Sequence, residues 1–253
     1  MDYQGSMSAT MLAATQTATL SGVEPDDIAK AYSWLEDSFD PQLFLRTLTK
    51  IDTRKEEAGP QAPMVRLSES NYDLPTEEDR RLFQWMIGEA KTDIRYRLRQ
   101  LVWSEAVQSA FDFVVIDAPP KLSVGSVNAL AASTHFVVPT ILDTLSSAPV
   151  RLLLSSYSGL FGKLGIKPRL CGVAVVKTRQ STLNKDERER IENVNGMLRV
   201  ANTPARVFST HIPFSVEYAR AAGVSFAFEK PSLRPRLELL FDEILAKTVP
   251  ASP

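Results

Sequence analysis

At 253 residues the chain has room for one large α/β domain or two small ones, and its formal net charge of -1 leaves any nucleic-acid contact to a local patch rather than to an overall field. A hydrophobic fraction of 44% and a charged fraction of 23% exclude a disordered chain; the lone Cys171 excludes an internal disulfide, and the distant His135 and His211 make no metal cluster. No apolar run nears the ~20 residues of a membrane span, and residues 1–20 hold no basic residue with which a signal peptide could start.

Taken in chain order, residues 52–63 read as a loop, with Arg54, Lys55, Glu56, Glu57, Gly59, Pro60 and Pro63, and 64–67 as a short strand. Thr76-Glu77-Glu78-Asp79 has the pattern of a capping box that opens a long helix. Its apolar face reads as Leu82, Phe83, Met86 and Ile87 and, beyond Gly88, as Ile94, Leu98, Leu101 and Val102. Phe113-Val114-Val115-Ile116 has no polar alternation, which predicts a strand buried on both faces, the mark of a parallel sheet between helix layers. A helix over 127–132, a strand over 135–139, a helix over 147–161 and a strand over 171–176 follow. Residues 184–200 read as a charged amphipathic helix and 206–212 as a short strand. A helix over 233–247 closes the chain, with Leu237, Leu239, Leu240, Phe241, Ile244 and Leu245 on its apolar face. Strand and helix alternate, so the expected fold is α/β, a mostly parallel sheet flanked by helices in one domain over 1–253.

In such a sheet ligands sit beyond the carboxyl ends of the strands. Asp117 follows the apolar run, where a carboxylate can orient the water shell of Mg²⁺; read alone, it equally well just ends a strand. Its setting is more specific. Phe111-Asp112-Phe113-Val114-Val115-Ile116-Asp117-Ala118-Pro119-Pro120, then Asn128-Ala129-Leu130-Ala131-Ala132 and a strand ending at Pro139, resembles the Walker B region of the ParA/Soj/MinD ATPases. Gly172-Val173-Ala174-Val175-Val176-Lys177-Thr178-Arg179 is similar to that family's strand leading to the base-binding side. Val207-Phe208-Ser209-Thr210-His211-Ile212-Pro213 is similar to its late Ile-Pro segment. Met1-Asp2-Tyr3-Gln4-Gly5 resembles its Asp-Pro-Gln-Gly segment, with Tyr3 where the family has Pro.

The resemblance implies a P-loop NTPase fold of the ParA-like, deviant Walker A class. It implies ATP and Mg²⁺ as cofactors, an ATP-bound homodimer, non-specific DNA binding and a ParB-like partner. The setting it implies is plasmid or chromosome partition in the cytoplasm, on the nucleoid, with no membrane. Residue by residue, it implies catalytic roles for Asp2, near the γ-phosphate, and for Asp117, holding Mg²⁺ through water. It places Gln4, Gly5, Pro119, Thr178 and Pro213 at the nucleotide. Yet neither Gly-x-x-x-x-Gly-Lys-Ser/Thr nor the family's Lys-Gly-Gly-x-Gly-Lys-Thr occurs in the sequence, and that loop cradles the phosphates. In the family it lies some tens of residues before the Asp-Pro-Gln-Gly segment, so the resemblance implies that the first strand, the loop and the first helix are missing from the front. A truncated product or a late start codon is the expected reason.

A non-catalytic module of the same fold remains the alternative, and Arg220, where the family carries an acidic residue, favours it. Arg234, Arg236, Lys185 and Arg188 are the candidate DNA contacts, with Arg95, Arg97 and Arg99 as a second patch. They would act by phosphate neutralisation, but Asp186, Glu187, Glu189 and Glu192 favour reading 184–200 as a solvated helix face.

Overall fold

The Asp40 carboxylate accepts the Gln42 N–H at 2.8 Å and Pro41 presets the first turn, so helix α1 (Pro41–Thr47) starts there. The computed structural model describes residues 33–37, 39–51, 65–68, 74–118, 122–142, 154, 159, 161–180, 182–221 and 227–248. It divides into a first unit, 1–132 with 222–225, and a second, 133–221 with 226–253. The loop expected over 52–63 lies outside the described residues, as do Asp2, Gln4, Gly5 and Pro119.

In the first unit, strands β1 (Thr49–Ile51) and β2 (Val65–Leu67) pair antiparallel, Thr49 opposite Leu67. Helix α2 (Leu74–Met86) begins ahead of the expected capping box, which places Thr76 inside the helix rather than at its cap. Its inner face also differs from the expected one. Leu82 and Trp85 pack on the core and Glu78 is buried, whereas Phe83, Met86 and Ile87 are 62%, 70% and 51% exposed. Rows 78-82-85 and 83-86-87 both fit a helical period, and the bulk of Trp85 goes to the side where a core exists. The helix stops at Gly88, whose φ of +78° is left-handed; the Glu89 N–H returns to the Gln84 carbonyl at 2.9 Å.

A 3-10 turn, Ile94–Tyr96, leads into α3 (Arg97–Val102), followed by α4 (Glu105–Ala110) and α5 (Val124–Ala132). Ile94, Leu98, Leu101 and Val102 are buried as expected and join Trp34, Leu35, Val107 and Ala132 in one core. Asn128 of α5, fully buried, splices the junction before α3. Its Oδ1 accepts the Leu98 N–H at 3.0 Å, and its Nδ2 donates to the carbonyls of Ile94 at 2.7 Å and Val124 at 3.0 Å.

Among the described residues the run 113–116 is not assigned to a strand of either sheet, although Asp117 at its end forms a bridge. Phe113, Val114 and Val115 are 61%, 42% and 79% exposed rather than buried on both faces, and Ile116 packs against the core. A β-branched run becomes a buried strand only with paired neighbours and a layer on each face.

The second unit holds the parallel sheet: β3 (His135–Ile141), β4 (Arg169–Thr178), β5 (Arg206–Val207) and β6 (Ile212–Pro213). β3 pairs along β4, while β5 and β6 pair with successive stretches of it. The single strand expected over 206–212 is therefore two short ones. Gly172 is required where β4 meets β5, since a Cβ there would lie 2.8 Å from the Arg206 carbonyl oxygen and from the Phe208 ring.

Helices α6 (Lys185–Val200), α7 (Val216–Ala221) and α8 (Arg234–Thr248) complete the unit. Leu170 and Val173 of β4 meet Val194 and Leu198 of α6, whereas Cys171 and Ala174 meet Leu240 and Ile244 of α8. The sheet is thus covered on both faces, and Cys171 is a core residue. The expected apolar face of α8 is only partly used, with Leu239 and Phe241 52% and 56% exposed. Of the helix expected over 147–161, only residues 154, 159 and 161 are described, all helical.

Candidate functional site at the carboxyl end of the sheet

Two residues named from the sequence, Thr178 and Pro213, come together here. They are register partners across β4 and β6, and the Phe214 N–H donates to the Thr178 carbonyl at 2.8 Å. The register shifts between Val176 and Thr178, and Lys177 between them has a φ of +58°, unusual for a residue other than glycine. This bulge leaves Lys177 exposed and turns Thr178 inward, where its Oγ1 donates to the Gln180 carbonyl at 3.0 Å. Beside it lies a cavity of about 220 Å³, bordered by Ile141 at the end of β3, Leu142 after it, Lys177 and Arg179, and the start of α6.

Two carboxylates fix the loops at this end. Glu187 accepts the Arg179 N–H at 3.0 Å and the Asn184 N–H at 2.9 Å, and the Glu187 N–H returns to Asn184 Oδ1 at 2.8 Å. The Arg179 N–H outweighs burial and holds the Glu187 carboxyl below its ordinary 4.5. Glu243 of α8 accepts the Thr210 N–H at 2.7 Å and the Ser209 N–H at 2.9 Å. Burial pushes this carboxyl up, but bonds from Thr210 and Ser209 together bring it below 4.5. The Asn184-x-x-Glu187 spacing was a legible cap signal; nothing in the sequence around Glu243 marks its reach to a segment 33 residues away.

In the first unit, Asp117 is exposed at the end of the 113–116 run. No group of three metal-ligating side chains occurs among the described residues.

Of the candidate DNA contacts, Lys185 and Arg188 are exposed on α6 between acidic neighbours, Arg234 pairs with Glu238 at 2.6 Å, and Arg236 is half-buried. The residues of the second patch have partners within their own unit. Arg95 is bound by Asp93 at 2.6 Å, Arg97 is buried over the Phe39 ring, and Arg99 donates to the Ala131 carbonyl at 2.8 Å while lying over Trp103. No helix among the described residues is long and apolar enough to cross a membrane.

Residues 37–162 match a family model described as an AAA domain. The chromosome-partitioning ATPase Soj of Thermus thermophilus is 34% identical over 111 residues, covering 44% of this chain and 42% of Soj. The match thus spans less than half the length of that relative. Among solved structures, apo McdA of Cyanothece aligns with a TM-score of 0.66 at 16% identity, over 95% of this chain and 94% of McdA. An ATP complex of a McdA variant aligns with a TM-score of 0.67 at 16% identity, over 100% of this chain and 96% of that one. The McdA likeness gives the fold, and the Soj match gives a sequence kinship over 111 residues of this chain.

Proposed function

We propose that the chain carries the base-side half of the nucleotide site of a ParA/MinD-type partition ATPase. Complete, the site binds ATP with Mg²⁺, and the ATP-bound homodimer binds DNA non-specifically and answers to a ParB-like partner. The observation that carries this reading is the Thr178–Pro213 pair at the carboxyl end of β4, where an α/β sheet receives its ligand. Both residues lie in blocks that resemble the base-binding side of the family. Asp117 would orient the water shell of Mg²⁺, and Arg234, Arg236, Lys185 and Arg188 would neutralise DNA phosphates. Asp2, Gln4, Gly5 and Pro119 keep the roles that the resemblance gives them.

The phosphate cradle is not encoded in these 253 residues, so the full activity needs that loop from a segment joined to or assembled with the chain. The same absence favours a second reading, a non-catalytic binding module. A chimera carrying the strand, loop and first helix of Soj ahead of this chain separates the two. ATP-dependent retention on duplex DNA and phosphate release, both abolished by Asp117→Ala, support the ATPase. A folded chimera that binds ATP yet neither holds DNA nor releases phosphate leaves only the module.

A further inference from the structure

The segment that ends in Pro213 does not hold itself. Between β5 and β6 the chain runs through Phe208, Ser209, Thr210 and His211 before it regains the sheet. In that stretch the Ser209 and Thr210 N–H groups find their partner on a different element, the Glu243 carboxylate of α8, one oxygen to each. The hydroxyls of both residues bond the same carboxylate. Glu243 is itself fixed, because its helix neighbours Leu240 and Ile244 pack on Cys171, Ala174 and Phe208. Such a charge-assisted, two-oxygen grip is among the stronger arrangements a loop can have. Glu187 does the same for the segment after β4, joining the Arg179 and Asn184 N–H groups. The segments next to Thr178 and Pro213 are thus each held by a helix-borne carboxylate that clamps two backbone donors.

We propose that Glu243, with Glu187 as its counterpart, is a positioning residue that fixes the gap between the Thr178 and Pro213 segments and so sets the fit of a purine base there. This rests on the reading of that end of the sheet as the base side of a nucleotide site. Glu243 touches no ligand in this scheme and acts through the backbone of residues 209–213. Because it caps no helix and sits inside α8, its replacement separates loop positioning from helix formation.

The experiment compares the full chain with Glu243→Ala, Glu243→Gln and Glu243→Asp by amide hydrogen exchange and by NMR titration with adenosine. In Glu243→Ala the Ser209 and Thr210 amides should exchange at least ~10-fold faster, the equivalent of roughly 1.4 kcal/mol of local opening, with Val173 and Val175 unchanged. Adenosine-induced shifts at the Thr178 and Phe214 amides should disappear in the same variant. They should persist in part in Glu243→Asp, which keeps both acceptors, and be weaker in Glu243→Gln, which turns one acceptor into a donor. Unchanged protection at Ser209 and Thr210, or an equal loss along β4, overturns the proposal. If the wild-type chain shows no adenosine shift, the base-side reading fails and the specificity role with it; the exchange arm then judges the clamp separately.

Discussion

Replacing Asn128 tests how the first unit is held together. The Leu98 N–H stands one turn beyond the Ile94 carbonyl, and the Asn128 amide bridges the two in place of the helical bond that the kink at 94–98 breaks. Asn128→Ala leaves that donor and that acceptor buried and unpaired, at roughly 1–3 kcal/mol each, so a loss of about 3 kcal/mol is expected. For a chain of this size that corresponds to a fall in Tm of roughly 6–12 °C. Urea unfolding followed by tryptophan fluorescence is a suitable assay, because all three tryptophans, Trp34, Trp85 and Trp103, belong to the first unit. Asn128→Asp sharpens the test. The new carboxylate still accepts from Leu98 but sets its other oxygen against the carbonyls of Ile94 and Val124. The folded state then favours the protonated acid, raising its pKa above the unfolded value of about 3.9. Stability of this variant is therefore greatest below that value and declines as pH rises through the raised folded pKa. An Asn128→Ala variant within about 0.5 kcal/mol of wild type, or an Asn128→Asp variant with the wild-type pH profile, would refute the splice.

Four further outcomes are expected. Since the Glu187 and Glu243 carboxyls both lie below their ordinary 4.5, they stabilise the fold above that value and cease to as pH falls through the lowered folded pKa. Urea midpoints of Glu187→Gln and Glu243→Gln should converge on wild type in acid, and parallel profiles would remove both from the linkage. ATP with Mg²⁺ should bind the chain within about threefold of adenosine by NMR or calorimetry, as no loop meets the phosphates; micromolar ATP binding lost in Asp117→Ala would refute this. Gly172→Ala should cost roughly 1–3 kcal/mol, the range for forcing extra atoms into a packed core, and an unchanged thermal melt would mean that β5 moves aside freely. If the chain or its Soj chimera binds duplex DNA, replacing Arg234 and Arg236 by Ala should flatten the log–log salt dependence by up to about 0.9 per cation lost. An unchanged slope would exclude that helix start from the interface.

The sheet was legible because its signal does not depend on what surrounds it. β4 is apolar from Leu170 to Val176 and both its faces are covered by helices, so residue type and environment agree. α6 was legible because its charged and apolar residues keep a helical period, so that Val194 and Leu198 fall on the face that packs on the sheet. The inner face of α2 was not, since two adjacent rows of that helix are apolar and only the rest of the unit selects Leu82 and Trp85. Neither was the break within 206–212, where the Ser209 and Thr210 N–H groups go to a glutamate of α8, 33 or more residues away.

The same distinction separates the candidate site residues. Thr178 and Pro213 were named only through a resemblance, and it is the register along β4 that brings them together. Asp117 ends a run of the same chemical character, Phe113-Val114-Val115-Ile116, that the described strands do not flank. Apolar β-branched residues state a preference for being covered; they do not supply the cover. Thr178 is fixed by hydrogen bonds to Phe214 and Gln180. The Thr178–Pro213 end of this sheet is therefore held by its own backbone bonds, and the metal role proposed for Asp117 would need phosphate oxygens beside its carboxylate.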